Sequence, residues 1–268
     1  QIHFSLRLGP HPRMIITTTP RPLPLLQELV THAGKEVALT RGTTFENQDN
    51  LSPVFINTMQ QSFSGTRLGA QELLGEMIDT HEGALWTPAL LDQYRTKVLP
   101  EFKRIVIGID PAVTHHSHSD ETGLVVVGLG HDHHAYVLED LSGQYPATTW
   151  GKIACEAYHH WNADRIIAEV NKGGDLVETL LRSIDPTISY QGVHASRGKY
   201  TRAEPIAAFY EQGKVHHACQ GLKRLEDQMC KFLPGMTDSP DRVDALVWAL
   251  TALMLEAKNS LPYKMWRS

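Results

Sequence analysis

The sequence predicts an α/β protein in which a mixed sheet carries helices on its faces. Three observations support this. From residue 104 onward, three apolar runs separated by short turns lead into alternating helical and extended segments, as when antiparallel strands continue into βα units. A chain of 268 residues with 41% hydrophobic and 21% charged side chains can bury a sizeable core and is not disordered, collagen-like or fibrous. No apolar stretch approaches the roughly 18–20 residues that cross a bilayer. The longest, Ala245 to Leu255, contains Thr251 and reads as a buried helix.

Taken in order, the first hundred residues hold eight of the fifteen prolines and form an irregular segment. Met14–Thr19 reads as a strand stopped by Pro20, and Leu23–His32 as a helix. Glu36–Thr40 reads as a second short strand, and Arg41–Asn50 as a polar loop. Helical spacing follows over Pro53–Met59 and Gln71–Met77, then a connector over Thr80–Pro100 with a short helix at Pro88–Val98. Strands are expected at Arg104–Asp110, Gly123–Leu129 and Ala135–Asp140, followed by a helix over Thr148–Trp161 and a strand over Arg165–Val170. A helix from Asp175, a strand near Ser189–His194, a helix over Ala203–Glu211 and a long helix over Pro240–Ala257 complete the pattern.

The balance of 25 basic against 30 acidic side chains, −5 formally, argues against coating nucleic acid by bulk charge. It leaves room for a local basic patch or an acidic metal site. Cys155, Cys219 and Cys230 are odd in number and show no CxxC spacing, as expected in a reducing compartment. No basic segment leads into a small-residue cleavage site, so no signal peptide is visible.

Three acidic positions stand at the ends of elements. Asp110 closes the first strand of the mixed sheet, Glu169 lies at the end of a later strand, and Asp241 and Asp244 share one face at the start of the last helix. Ser239 is a good N-cap, Pro240 suits the first helical position, and the helix dipole there favours ionised carboxylates. Each has a plain alternative: an Asp in a first turn complements the dipole, and a strand-end carboxylate is often merely solvated. As a set, converging carboxylates without nearby Lys or Arg would repel one another unless divalent cations neutralise them. Two Mg²⁺ or Mn²⁺ ions about 3.5–4 Å apart, clamped by such a cluster, drive attack of water on a phosphodiester.

Four blocks together carry a resemblance: RIVIGIDPAVT (104–114), SDETGL (119–124), AEVNKGGD (168–175) and SPDRVDALVWA (239–249). In order and spacing they resemble the nuclease domain of the large terminase subunit of tailed bacteriophages and prophages, over about residues 100–260. The resemblance implies a ribonuclease H-like fold and a metal-dependent endonuclease that cuts concatemeric double-stranded DNA during packaging. By position, Asp110, Glu169 and Asp244 match the family's three metal-binding acids, which two Mg²⁺ or Mn²⁺ ions would share. Asp241 matches an auxiliary place, and Asp120, in the hairpin near the first acid, is carried as a helper. Lys172, just past Glu169, reads either as reaching a phosphate or as a plain loop lysine. The small terminase subunit and the portal protein are implied partners, with no membrane, in the cytoplasm of the bacterial host.

Upstream, MIITTTPRP (14–22) resembles the family's coupling motif, and SGTRLGAQELLGE (64–76) resembles the end of its packaging ATPase domain. There is no GxxxxGK[ST] loop, and Ala33-Gly-Lys35 lacks both the leading glycine and the hydroxyl residue. The expected organisation is a remnant of a P-loop ATPase over 1–85, a linker over 86–100 and the nuclease over 101–268. ATP would then be bound only by a full-length protein.

Residues 195–224 carry six basic side chains, Arg197, Lys199, Arg202, Lys214, Lys223 and Arg224, as a DNA-tracking groove needs; a solvated helix face is the alternative. The histidines clustered at 115–118, 131–134 and 159–160 lack zinc spacing, and the first two groups read as solvated turns. Trp150, Trp161 and Trp248 read as core, and Trp86 and Trp266 as partly exposed. Two rival functions share the acids: a resolvase or transposase on the same fold, and a DNA-binding or docking piece of the motor with an idle metal site.

Overall fold

The computed structural model describes residues 11–20, 24–77, 84–111, 121–170, 174–218, 221–236 and 240–255. The chain divides into two compact units, Gln1–Thr80 and His81–Ser268.

In the first unit, helices α1 (Pro24–Thr31), α2 (Pro53–Phe63) and α3 (Arg67–Glu72) are joined by loops and one 3-10 helix, Thr44–Asn50. Neither expected strand forms. Residues 14–19 are irregular, Ile15 is 90% exposed, and Val37 makes only an isolated bridge to Ala33. An apolar run alone does not make a strand, because without a partner its ladder has nothing to bond. The expected polar loop contains the 3-10 helix, begun by a capping box: Glu46 N donates to Thr43 Oγ1, and Thr43 N donates to Glu46 Oε2. The Thr66 side chain caps α3 by accepting from Gly69 N, so this helix starts ahead of Gln71 and has ended by Glu72.

The second unit runs α4 (Pro88–Gln93), β1 (Phe102–Asp110), β2 (Gly123–Gly130), β3 (Ala135–Asp140), α5 (Ala147–His160), β4 (Arg165–Glu169), α6 (Gly174–Ile184) and β5 (Tyr190–Val193). It continues with α7 (Lys199–Glu211), β6 (Val215–His217), α8 (Lys223–Lys231) and α9 (Asp241–Leu250), which passes into a π-helical turn at Thr251–Leu255. The sheet order is β5-β4-β1-β2-β3-β6; β1, β2 and β3 are antiparallel, and the outer strands join in parallel. β6 and α8 were not expected. Three residues, VHH, carry too little alternation to register as a strand, and α8 is mostly polar, burying only Leu225 and Met229. Helix α7 begins four residues before the expected Ala203, and α9 begins at Asp241 with Pro240 in the capping position. Ser239 lies outside the described residues.

The four inner strands, β1 to β4, are buried on both faces. Val106, Val125, Val127, Val137 and Ile167 pack with α7, α8 and α9, while Ile107, Ile109, Leu124, Val126 and Ile166 pack with α5 and α6. This is why they read as nearly continuous apolar runs. Two glycines bring α9 onto the sheet: a Cβ on Gly108 would lie 2.1 Å from the Ala245 carbonyl oxygen, and one on Gly123 1.9 Å from that of Asp241. Any side chain at either position would push the helix outward. Trp86 is fully buried, contrary to expectation, stacked on Phe232 with its edge toward Tyr210. His134 is also no simple turn histidine, since it stacks on His216 with a 2.7 Å Nδ1–Nε2 contact.

A polar chain threads the buried end of this unit. The Tyr210 hydroxyl meets His217 Nε2 at 2.9 Å, His217 Nδ1 meets Glu226 Oε1 at 2.7 Å, and Arg95 Nη1 and Nη2 donate to both Glu226 oxygens. Burial holds His217 below its ordinary pKa, and the hydrogen bond from His217 leads the effects that bring Glu226 from 4.5 to about 2. Both groups are depressed, so both contribute stability above their unfolded-state values and lose it as pH falls through the folded ones. For Glu226 that window is 4.5 down to about 2. Glu226→Gln is therefore expected to cost about 2 kcal/mol at neutral pH, with the gap to wild type closing below pH 4.5 in urea titrations. A gap independent of pH would show that the pairing does not depend on the charge.

Candidate metal centre

Strands β1 and β4 are parallel neighbours, with Ile109 opposite Ala168, so Asp110 and Glu169 come level at their C-terminal ends. Both face the side on which α9 lies, as do Val106, an even number of residues before Asp110, and Ile167, an even number before Glu169. The close seating of α9 over Gly108 and Gly123 places its first turn, with Asp241 and Asp244, against the same strand ends. Four carboxylates thus meet at one corner. The Asp244 side chain is 2% exposed and that of Glu169 11%.

Two cations from the first turn of α7 join them. Lys199 Nζ lies 2.6 Å from Asp244 Oδ2. Arg202 Nη2 lies 3.2 Å from Asp244 Oδ1 and 3.3 Å from Glu169 Oε2, and its guanidinium sits 4.5 Å from the centre of the Trp248 ring. Trp248, one turn beyond Asp244, donates its indole N–H to Glu169 Oε2 at 2.8 Å. Glu169 is thus held from two sides.

The charges do not balance. If all are ionised, four carboxylates face two cations, and the surplus falls on the least paired member. Burial, then Asp244, and more weakly Asp241 and Glu169, push Asp110 up to about 8 against the opposing pull of Lys199. Burial also raises Asp244, partly offset by Lys199 and Arg202. The buried Asp244 Oδ2 accepts no well-directed hydrogen bond, although Lys199 is in contact with it. Among the described residues, no three His, Cys, Asp or Glu side chains are arranged to hold a metal ion. The donor set nonetheless fits a hard divalent cation: acidic oxygens, a surplus of negative charge, and a buried carboxylate oxygen whose neighbouring cation is poorly aligned. Asp110, Glu169 and Asp244 would hold it, with Asp241 beside them.

Of the remaining expected residues, Asp120 and Lys172 lie outside the described residues. Arg197 is exposed in the loop before α7, Lys214 lies in the turn after it, and Lys223 and Arg224 open α8. Lys199 and Lys214 stand at opposite ends of a 13-residue helix, so the six basic residues are spread along the fold. Sequence reasoning missed the pairing of Lys199 and Arg202 with the acids, and it took Trp248 as core only. It also missed Arg242. This buried side chain donates Nε and Nη2 to Glu121 at 2.8 and 3.0 Å, Nη1 to Asp140 at 2.5 Å, and Nη2 to the Ser142 carbonyl at 3.1 Å. A basic residue between two acids on one helix face was the available signal.

Comparison with known proteins matches this architecture to a family. Residues 107–253 match the family model described as "Terminase RNaseH-like domain", a span that includes all four acids. Residues 2–92 match "Terminase large subunit, T4likevirus-type, N-terminal". The chain belongs to the terminase large-subunit family. Its mixed sheet is accordingly the RNaseH-like fold, preceded by a segment of the terminase ATPase type. Among solved structures, this terminase chain is similar to a large terminase from a thermophilic bacteriophage, with TM-score 0.57, 13% identity, and coverage of 88% of this chain and 60% of that one. The large terminase nuclease from thermophilic phage G20c aligns at TM-score 0.47 and 15% identity, covering 63% of this chain and 98% of that one. At such identities the likeness is one of fold. The chain spans 60% of the length of the first of these relatives. No curated protein matches the sequence. No helix among the described residues is long and apolar enough to cross a membrane.

Proposed function

We propose that this terminase chain is a divalent-metal-dependent endonuclease that cuts concatemeric double-stranded DNA during packaging, with Mg²⁺ or Mn²⁺ held by Asp110, Glu169 and Asp244 and assisted by Asp241. The observation that supports it is the convergence of these four carboxylates, two buried and two half-buried and together short of positive charge, where the first turn of α9 meets the C-terminal ends of β1 and β4. When bound, such cations supply an activated water and neutralise charge that develops on the phosphate. The chain's own residues do the rest. Asp110 and Glu169 present their oxygens from rigid strands, Trp248 and Arg202 hold Glu169 in orientation, and the half-exposed Lys199 beside Asp244 would meet the DNA backbone. DNA, the small subunit and the portal protein are the proposed partners in the host cytoplasm. ATP would be used only by a longer chain bearing the phosphate-binding loop.

The test is supercoiled plasmid incubated with the chain in Mn²⁺, in Mg²⁺ and in EDTA, beside Asp110→Ala. Nicking and linearisation are expected with either metal and not in EDTA, with a loss of at least about a thousandfold in the variant. One observation favours a second reading. The contacts of Lys199 and Arg202 with Asp244 would suit a DNA-docking piece with an idle metal site, and DNA binding without cutting would establish it. A resolvase or transposase role leaves residues 2–92 unexplained and would appear as a preference for branched over linear DNA.

A further inference from the structure

Lys199 and Arg202 lie one helical turn apart and both touch Asp244, yet they are built differently. Arg202 is 10% exposed, stacked on Trp248 and shared between two acids, so it is fixed in place. The Lys199 side chain is 42% exposed, and it is the first residue of α7. Gly198, at the cap, gives this end of the helix no side-chain hydrogen bond. Pro205 has no N–H to donate back to Thr201, so the first turn is less tightly tied to the rest of α7. Lys199 Nζ also contacts the one Asp244 oxygen that lacks a well-directed hydrogen bond. That is a ligand position held by a loosely built cation.

We propose that Lys199 stands in for the metal at Asp244 until DNA arrives, so that DNA and divalent metal bind cooperatively. A lysine ammonium is a compact charge on a flexible stem that can pair equally with a carboxylate or a phosphate. A backbone phosphate approaching the strand ends draws Lys199 from Asp244 and frees Oδ2 to ligate. A metal that displaces Lys199 leaves the ammonium ready for phosphate. Because coupling between two ligands is reciprocal, each tightens the other by the same factor. The proposed consequence is that the terminase centre stays weakly loaded, and so inactive, away from its substrate. The inference rests on the metal-nuclease reading of the site.

The experiment is calorimetric titration of Mn²⁺ into the full chain, with and without a phosphorothioate duplex that resists cutting. Wild type, Lys199→Met, Lys199→Arg and Asp244→Asn are compared. Without DNA, Lys199→Met is expected to bind Mn²⁺ about fivefold to tenfold more tightly than wild type, and Lys199→Arg about as weakly as wild type. Saturating duplex should tighten wild type by a similar factor, and Lys199→Met by no more than about twofold. Equal or weaker Mn²⁺ binding by Lys199→Met, or the same DNA effect in both proteins, overturns the proposal while leaving the metal centre intact. No Mn²⁺ binding by wild type or Lys199→Met, or binding that Asp244→Asn leaves unchanged, removes the metal reading itself.

Discussion

In EDTA, Asp110→Asn is expected to melt several degrees above wild type, and in Mg²⁺ the order reverses. Asp110 sits among Asp244, Asp241 and Glu169 with its charge penalised by burial, so an isosteric amide relieves repulsion. Gains of this kind are commonly about 0.5–2 kcal/mol. For a unit of this size that corresponds to roughly 1–8 °C. A cation that binds the folded chain at a hundred times its dissociation constant adds about 2.7 kcal/mol. The wild type should show that increment, whereas the variant, lacking the charge that attracts the ion, should show little of it. The opposed signs distinguish a functional carboxylate from a structural one. Equal metal shifts in the two proteins would take Asp110 out of the metal centre. A lower melting temperature for the variant in EDTA would mean that the carboxylate is a favourable partner in the fold.

Arg242→Met should be the most destabilising single change near the site. Its guanidinium is nearly inaccessible and serves Glu121 in a two-point contact, Asp140 and the Ser142 carbonyl, which ties α9 to the β2–β3 side of the sheet. Truncation leaves the Asp140 side chain, 1% exposed, without its cation. Removing one partner of a buried ion pair typically costs about 3–5 kcal/mol, because the other charge stays buried. The melting temperature is expected to fall by roughly 10 °C. Arg242→Lys should lie between, since one ammonium cannot reproduce a planar fork that reaches three acceptors. Adding Asp140→Asn to Arg242→Met should recover part of the loss, as that removes the stranded charge. A loss below about 1 kcal/mol for Arg242→Met would show that water reaches and solvates both acids. Cutting should fall along with stability, because the turn that Arg242 anchors also carries Asp241 and Asp244.

Much of this was legible in the residues. Strands with apolar side chains on both faces, β1, β2 and β4, declared themselves as runs, and the four-residue connection between β2 and β3 required antiparallel pairing there. Asp110, Glu169, Asp241 and Asp244 were marked by where they stand at element ends, and the four-block resemblance pointed to the RNaseH-like fold that the family match then established. Thr43 and Glu46, three apart, were a capping signature available to be read. Where expectation failed, local pattern was a poor guide to partnership. Residues 14–19 have β-forming composition and no neighbouring strand among the described residues, while β6 has almost no pattern and forms because β3 offers it an edge.

The sequence by itself determined which residues are acidic, which runs are apolar and in what order the elements come, because these depend on composition and short-range periodicity. Only the tertiary structure decided who neutralises whom. Lys199 and Arg202 lie 30 or more residues from the acids they contact, and Arg242 bridges to partners about a hundred residues away. Such pairings follow from how closely α9 rests on Gly108 and Gly123 and on which side of it α7 lies. Electrostatic energy depends on distances in space and on burial, and neither is encoded in the spacing of residues along the chain.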